Sequence, residues 1–117
     1  MSNILTTQQL PGGSNPNTDV IVTSGNSVVV DVILFTTLSA VKWCVTASTA
    51  TQMRMIEVSA TYSDTAQLRV TKFGDVGDRL KVDFNVVCNN HQLQLSIDNN
   101  EELDVIVTAA RLASVSR

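Results

Sequence analysis

The chain has 117 residues, of which 44% are hydrophobic and 16% are charged, and its 8 Lys and Arg against 11 Asp and Glu give a net charge of −3. Such a chain lacks the basic stripe that neutralises phosphates, so nucleic acid and anionic membranes are not expected partners. No apolar run reaches the length of a membrane-spanning helix, and the N-terminus lacks the basic and apolar regions of a signal peptide. We therefore expect one soluble domain, made in the cytoplasm.

Composition also predicts the fold class. Val, Thr, Ser, Ala and Asn are abundant, whereas Glu and Lys, which favour surface helices, are scarce. β-Branched residues favour a pleated, half-buried surface. The chain is therefore predicted to be all-β.

Residues 1–18 are predicted to form an extended N-terminal arm that precedes a β-sandwich domain at residues 19–117. The arm holds both prolines of the chain among Gly, Asn and Gln residues, and a segment of this composition cannot bury a core of its own. Its apolar residues, Ile4, Leu5 and Leu10, are spaced to insert into the surface of a neighbour. The alternative is a terminus that is disordered in the isolated monomer.

The domain is predicted to begin with a hairpin, because residues 19–24 (DVIVTS) lead into the turn pair Gly25-Asn26 and then into residues 27–38 (SVVVDVILFTTL). Strict alternation in the second strand gives two faces, one with Val28, Val30, Val32 and Leu34 and the other with Val29, Asp31, Ile33 and Phe35. Both faces are largely apolar, so the strand is either internal to a layered structure or covered by another subunit. The predicted interface residues on it are Val29, Ile33 and Phe35.

A change of phase marks the strand that follows residues 39–48 (SAVKWCVTAS). In residues 53–62, Met53 and Met55 alternate in one register, and the apolar residues from Ile56 onward alternate in the other. A one-residue shift within a continuous strand is typical of a β-bulge. We place that bulge near Met55-Ile56.

Four further strands are predicted, at residues 65–73, 80–88, 93–97 and 103–112. Turn formers separate them at Ser63-Asp64, residues 74–78, Asn89-Asn90 and residues 98–102. About eight antiparallel strands with turn signals roughly every 8–12 residues indicate a single β-sandwich or jelly-roll-like domain. The order of the strands, which separates these two architectures, stays open.

The chain offers little material for catalysis. Its one histidine, His91, follows a turn and is interpreted as a solvated loop residue rather than a general base. The sequence has no strand-to-helix nucleophile turn and no Gly-rich phosphate loop. We therefore predict that the protein is not an enzyme and carries no metal or other cofactor.

Several residues have two interpretations. Cys44 and Cys88 are more simply free thiols in a protein made in the cytoplasm, although a disulfide would suit an extracellular particle. Trp43 is either a core residue or a platform for sugars, and the low aromatic content of 4% favours the core. The acids of residues 75–78 and 98–102 suit solvated turns better than a Ca²⁺ site, because they lack an ordered ligand spacing.

A series of short motifs runs through the middle and end of the chain: Ala40-Val41-Lys42-Trp43, Arg54-Met55-Ile56-Glu57-Val58, Thr71-Lys72-Phe73-Gly74, Gly77-Asp78-Arg79-Leu80, Gln94-Leu95-Ser96-Ile97 and Val105-x-Val107-Thr108-x-x-Arg111. In this order, over about residues 40–112, they resemble a small β-sandwich domain of tailed-bacteriophage virion structural proteins. The chain departs from that family in having Trp43 where Tyr is frequent, and in carrying Cys44 and Cys88.

The resemblance implies a component of the virion that works by repetition and contact. We expect a capsid decoration, or cement, protein that forms a homo-oligomer, a trimer, and bridges neighbouring major capsid or tail subunits. The alternative is a tail fibre or baseplate component that recognises a host receptor or glycan through the loops at residues 74–78 and 98–102.

Overall fold

The computed structural model describes residues 18–117, and all regular structure in this part of the chain is β-strand. The strands are β1 (Thr18–Val22), β2 (Ser27–Leu34), β3 (Ser39–Ser48), β4 (Met53–Ser63), β5 (Gln67–Gly77), β6 (Val82–Asn89), β7 (Gln92–Asn99) and β8 (Val105–Ser116). Within these residues no helix is long and apolar enough to cross a membrane. The predicted arm residues Ile4, Leu5 and Leu10 lie outside the described residues, and Thr18 begins β1.

The described strands form two antiparallel sheets that enclose one core, so the predicted all-β sandwich is confirmed. A five-stranded sheet has the order β1-β8-β3-β4-β5, and a three-stranded sheet has the order β2-β7-β6. Strands that follow one another pair in β3–β4, β4–β5 and β6–β7, whereas β8 lies between β1 and β3. β1 and β8, the first and last strands of the described residues, therefore lie side by side in the five-stranded sheet.

The core follows the alternation that the sequence predicts. Trp43 is fully buried at the middle of β3 in the larger sheet. Phe84, on β6 of the smaller sheet, is buried in the same core. In β7, Leu93, Leu95 and Ile97 are fully buried while the intervening Gln and Ser side chains are only half-buried. Trp43 is therefore a core residue, and the interpretation as a sugar platform is wrong.

The predicted hairpin between the first two strands is wrong. β1 pairs with β8 and β2 pairs with β7, so the Gly25-Asn26 turn carries the chain from one sheet to the other. Backbone hydrogen bonds of 2.9 Å, from Gly25 N to Asn99 O and from Asn99 N to Asn26 O, fasten this crossing to the end of β7. A turn signal is local, whereas the partner of each strand is chosen by burial across the whole domain.

A bulge in β2 overturns the predicted division of its two faces. The register with β7 shifts between Val29 and Asp31, so Val30 is the extra residue and the alternation reverses beyond it. Ile33 and Phe35 are consequently buried in the core, and Val29 is exposed on the outside. The three residues predicted to share an interface face therefore do not lie on one face.

Two other local predictions need correction. The predicted bulge within residues 53–62 is wrong in its strand, because β4 pairs with β3 without a register shift and Met53 and Met55 simply point outward. A register shift does occur beside Ile56 in the β4–β5 pairing, but the extra residue belongs to β5, between Phe73 and Val76. The predicted loop at residues 74–78 is mostly wrong, since β5 continues through Gly77 and Val76 pairs with Met55. β5 continues because β4 is long enough to offer it partners beyond the bulge.

The β6–β7 hairpin is confirmed with its turn one residue later than predicted. Asn89 pairs with Gln92, which leaves Asn90 and His91 as the two turn residues. Their φ values of 51° and 60° are those of a tight hairpin turn that matches the twist of the strands.

Candidate contact surface

The outward side of the five-stranded sheet is the broadest regular surface of the described domain. We call it the outer face, and define it by the side chains that point away from the three-stranded sheet. The strand registers place these residues on it: Asp19, Ile21, Ile106, Thr108, Ala110, Ala113, Val115, Ala40, Lys42, Cys44, Thr46, Ser48, Met53, Met55, Glu57, Ser59, Thr61, Arg69, Thr71, Phe73 and Val76, with the charged Asp19 and Arg69 on the two edge strands.

Large apolar side chains concentrate at one end of the outer face. Ile21 on β1 pairs with Ile106 on β8, and both are exposed. Across the sheet, Met53 is 57% exposed, and Met55 pairs with Val76, which is 54% exposed. Single exposed apolar residues are ordinary on a soluble protein, but a band that crosses several strands is typical of an interaction surface.

Charge is nearly cancelled at the centre of the outer face. The Lys42 Nζ lies 3.7 Å from a Glu57 carboxylate oxygen and 5.3 Å from the centre of the Phe73 ring. An exposed pair of this kind contributes little to stability. Among the outward-pointing residues of β8, β3 and β4, the charged ones are Lys42 and Glu57. Because their opposite charges lie close together, the centre of the outer face is electrically neutral.

Beyond the ion pair, small side chains leave a shallow groove of about 240 Å³. Its floor and walls come from three adjacent strands: Ala113 and Val115 on β8, Ala40 on β3, and Ser59 and Thr61 on β4. Small residues here let another backbone or a ridge of side chains approach the sheet closely. The outer face therefore combines an apolar end, a neutral centre and a shallow groove.

An ion pair behind the outer face links the two sheets. Asp31 in β2 accepts hydrogen bonds from the Arg111 Nε at 2.7 Å and Nη2 at 2.9 Å, and from the Trp43 indole at 2.7 Å. Bulges in β2 and in the β3–β8 pairing occur beside these residues. The sequence gave no sign of the pairing of Asp31 with Arg111, because the two residues are 80 positions apart.

A second polar cluster closes the far end of the sandwich. Arg54 donates to both carboxylate oxygens of Asp75, at 2.9 and 2.8 Å, and to the backbone oxygens of Leu80 and Val82. The hydrogen bonds to Asp75 raise the pKa of Arg54, and the same bonds lower the pKa of Asp75. Because the guanidinium is already engaged on several sides, this cluster is a structural clamp between β4, β5 and the chain leading into β6.

The candidate chemical residues of the sequence are dispersed. His91 is exposed and meets Phe35 edge-on at 5.6 Å, beside a cleft of about 520 Å³ that Tyr62 and Cys88 also line. Cys44 and Cys88 are free thiols on different sheets, which agrees with the preferred interpretation. Among residues 18–117, no three His, Cys, Asp or Glu side chains gather where they could hold a metal ion.

Of the residues predicted for the interface, Val29 is on the exterior of the three-stranded sheet, together with Val32 and Leu34. The structure does not bring Val29 together with the outer face of the larger sheet. The sequence did not predict the outer face as a contact surface. Its side chains come from five strands, and each strand contributes only two to five of them.

Comparison with known proteins shows a likeness of fold. No family model matches the chain, and no curated protein matches it. Among solved structures, the whole chain is similar to part of the tailspike protein of Acinetobacter phage vB_ApiP_P1, with a TM-score of 0.57 and 13% sequence identity. The chain spans 26% of the length of that tailspike chain. At this level of identity, the likeness is one of fold.

Proposed function

We propose that this protein is a structural component of a bacteriophage virion and that it acts through protein–protein contact. The observation that carries the proposal is the outer face of the five-stranded sheet, with its apolar end at Ile21, Ile106 and Met53 and its neutral centre. A preformed sheet face loses little conformational entropy on docking, so the free-energy cost of ordering the interface is small. The likeness in fold to part of a phage tailspike agrees with this setting.

The partners in this proposal are further copies of the chain, as a trimer, and other virion proteins such as major capsid or tail subunits. In a capsid decoration role and in a tail role alike, the outer face would be covered by a neighbouring subunit. The likeness in fold to part of a tailspike is a reason to examine the tail as well as the head. A receptor-binding role would use loop residues as the contact residues instead. One of these residues, Asp78, already accepts a hydrogen bond within the domain, from the backbone N–H of Met53 at 2.9 Å.

The first experiment asks whether the protein is part of the particle. Virions of the phage whose genome encodes the chain are purified on a density gradient, analysed by mass spectrometry and labelled with an antibody for electron microscopy. We expect the protein in stoichiometric amounts, with the label at the tail or over the head surface. Absence of the protein from purified particles would refute the proposal.

The second experiment asks whether the outer face makes the contact. Thr46→Arg and Ala110→Arg each add a large charge to its centre, and Gln94→Arg adds the same charge to the exterior of the three-stranded sheet as a matched control. Burying an unpaired charge is expected to weaken binding to particles that lack the protein by at least about tenfold. The control variant is expected to bind as the unmodified protein does.

A further inference from the structure

The sandwich has unequal sheets, and the inequality leaves an open groove at one side. β5 is the edge of the five-stranded sheet and β6 is the edge of the three-stranded sheet, and among residues 18–117 neither has a second strand partner. Between them lies a groove of about 360 Å³ lined by Val70 and Lys72 of β5 and by Asn85 and Val86 of β6. We call this groove the seam. A sheet edge offers a row of unpaired N–H and C=O groups that can accept another strand.

The two edges differ in how open they are to such a strand. Lys72 points toward the seam from β5, and an inward-pointing charge is a common protection of an edge against pairing. On β6, the side chains on the inward side are Val82, Phe84, Val86 and Cys88, with no charge among them. An added strand would therefore hydrogen-bond to β6. It would also cover Val70, which is 36% exposed although it points inward.

We propose that the seam binds residues 2–10 of a second copy of this chain as an added strand beside β6. This inference rests on the proposed function, since it names the copy-to-copy contact of an assembling protein. Residues 2–10 (SNILTTQQL) contain no proline and no charge, and their nine residues match the eight of β6. In an extended segment, Ile4 and Leu10 fall on the same side, about 20 Å apart. Both would face the interior of the seam, and one of them would cover Val70 and the apolar stem of Lys72.

The geometry favours a second copy over the same chain. The N-terminal segment enters the domain at β1, which is the opposite edge of the five-stranded sheet from β5. Four strand spacings separate these edges by about 19 Å, and a path around either face of the sandwich needs roughly 35 Å. The seven residues of 11–17 reach at most about 24 Å when fully extended. A neighbouring copy meets no such limit, because its own arm can leave directly toward the seam.

This contact joins one edge of a subunit to the opposite edge of the next, so it is heterologous. Heterologous contacts close into a ring when the rotation between subunits permits. Three copies in such a ring would give the trimer expected from the sequence. Main-chain pairing supplies the attachment, and the pockets for alternate side chains supply the specificity.

The test uses the full chain and measures its mass in solution by light scattering and analytical ultracentrifugation. The arm variant Ile4→Asp/Leu10→Asp and the seam variant Val70→Asp should each raise the dissociation constant about 100-fold, since each removes apolar burial and adds a charge. The matched controls are Thr7→Asp/Gln9→Asp in the arm and Gln94→Asp on the exterior of the three-stranded sheet, and both should assemble normally. Far-UV circular dichroism verifies folding, and Val70→Asn provides a milder seam variant.

Mixing the two monomeric variants distinguishes exchange between copies from folding back within one chain. The arm variant keeps an intact seam and the seam variant keeps an intact arm, so a one-to-one dimer should appear only in the mixture. The inference is overturned if the unmodified chain is a monomer at about 100 µM, if the arm variant assembles normally, or if the mixture stays monomeric. A monomer that is nevertheless found in purified virions would sink this inference and leave the proposed function standing.

Discussion

Asp31 and Arg111 join the two sheets of the domain by a bidentate ion pair, with Nε to Oδ2 at 2.7 Å and Nη2 to Oδ1 at 2.9 Å. The side chains are 17% and 22% exposed, so both charges are largely removed from water. The Trp43 indole N–H donates to the same Oδ2. The pair sits where bulges interrupt the regular alternation, and it satisfies the polar groups that those bulges turn inward.

Loss of one partner of this pair should be costly. Arg111→Leu leaves the Asp31 carboxylate partly buried with the indole as its remaining side-chain donor, and we expect the free energy of unfolding to fall by about 2–4 kcal/mol. Urea denaturation followed by circular dichroism measures this loss. The double variant Asp31→Leu/Arg111→Leu should lose less than the sum of the two single variants, because no charge is stranded. A loss within about 0.5 kcal/mol for Arg111→Leu would contradict the assignment.

Asn99 should be equally important at the other end of the sandwich. Its amide donates to Val22 O at 2.9 Å and to Leu103 O at 2.8 Å, and its Oδ1 accepts from Glu101 N at 2.8 Å. The side chain is buried, so Asn99→Ala strands three backbone groups and should destabilise the domain by about 2–4 kcal/mol. Asn100→Ala, at an exposed neighbour, is the control and should cost well under 1 kcal/mol. Thermal unfolding of both variants measures the difference.

Gly77 should tolerate a side chain less well than Gly74. Both have positive φ, 106° and 70°, but a Cβ on Gly77 would overlap the backbone of Met53, whereas a Cβ on Gly74 meets open space. Gly74→Ala should therefore cost about 1 kcal/mol from its backbone conformation alone. Gly77→Ala should cost at least about 2–3 kcal/mol because the β4–β5 pairing must also shift. Equal urea midpoints for the two variants would show that the close approach at Gly77 is not a constraint.

The Arg54–Asp75 clamp should make stability depend on acidity. Hydrogen bonds from Arg54 lower the pKa of Asp75 in the folded state below the usual value of an aspartate. A lowered folded-state pKa contributes stability that is present above the unfolded pKa and is lost as the pH falls through the folded pKa. Because the Asp75 side chain is 48% exposed, solvent screening keeps this contribution well under about 1 kcal/mol.

Urea midpoints measured from pH 7 down to pH 2.5 test this dependence. Asp75→Asn should be less stable than the unmodified protein at neutral pH, and the difference should shrink below about pH 4. Asp64→Asn, at an exposed turn, serves as the control. A constant difference between Asp75→Asn and the unmodified protein across the whole range would contradict the ion pair as its source.

Local sequence patterns determined much of this fold. The inward rows of β6 and β7 and the turn between them depend on alternation and turn chemistry within a few residues, and they were predicted. The virion setting came from a resemblance spread over about residues 40–112. The contact surface could not be predicted, because no single strand carries its pattern.

The sequence by itself determined an all-β chain with eight strands and an apolar content suited to one core. Only the tertiary structure decided that β1 and β2 belong to different sheets, that Ile33 and Phe35 are interior, and that Arg111 reaches Asp31. The physical reason is range. Alternation and turn chemistry act between neighbours in the chain, whereas the choice of strand partner and the position of a bulge follow from burying all apolar faces at once.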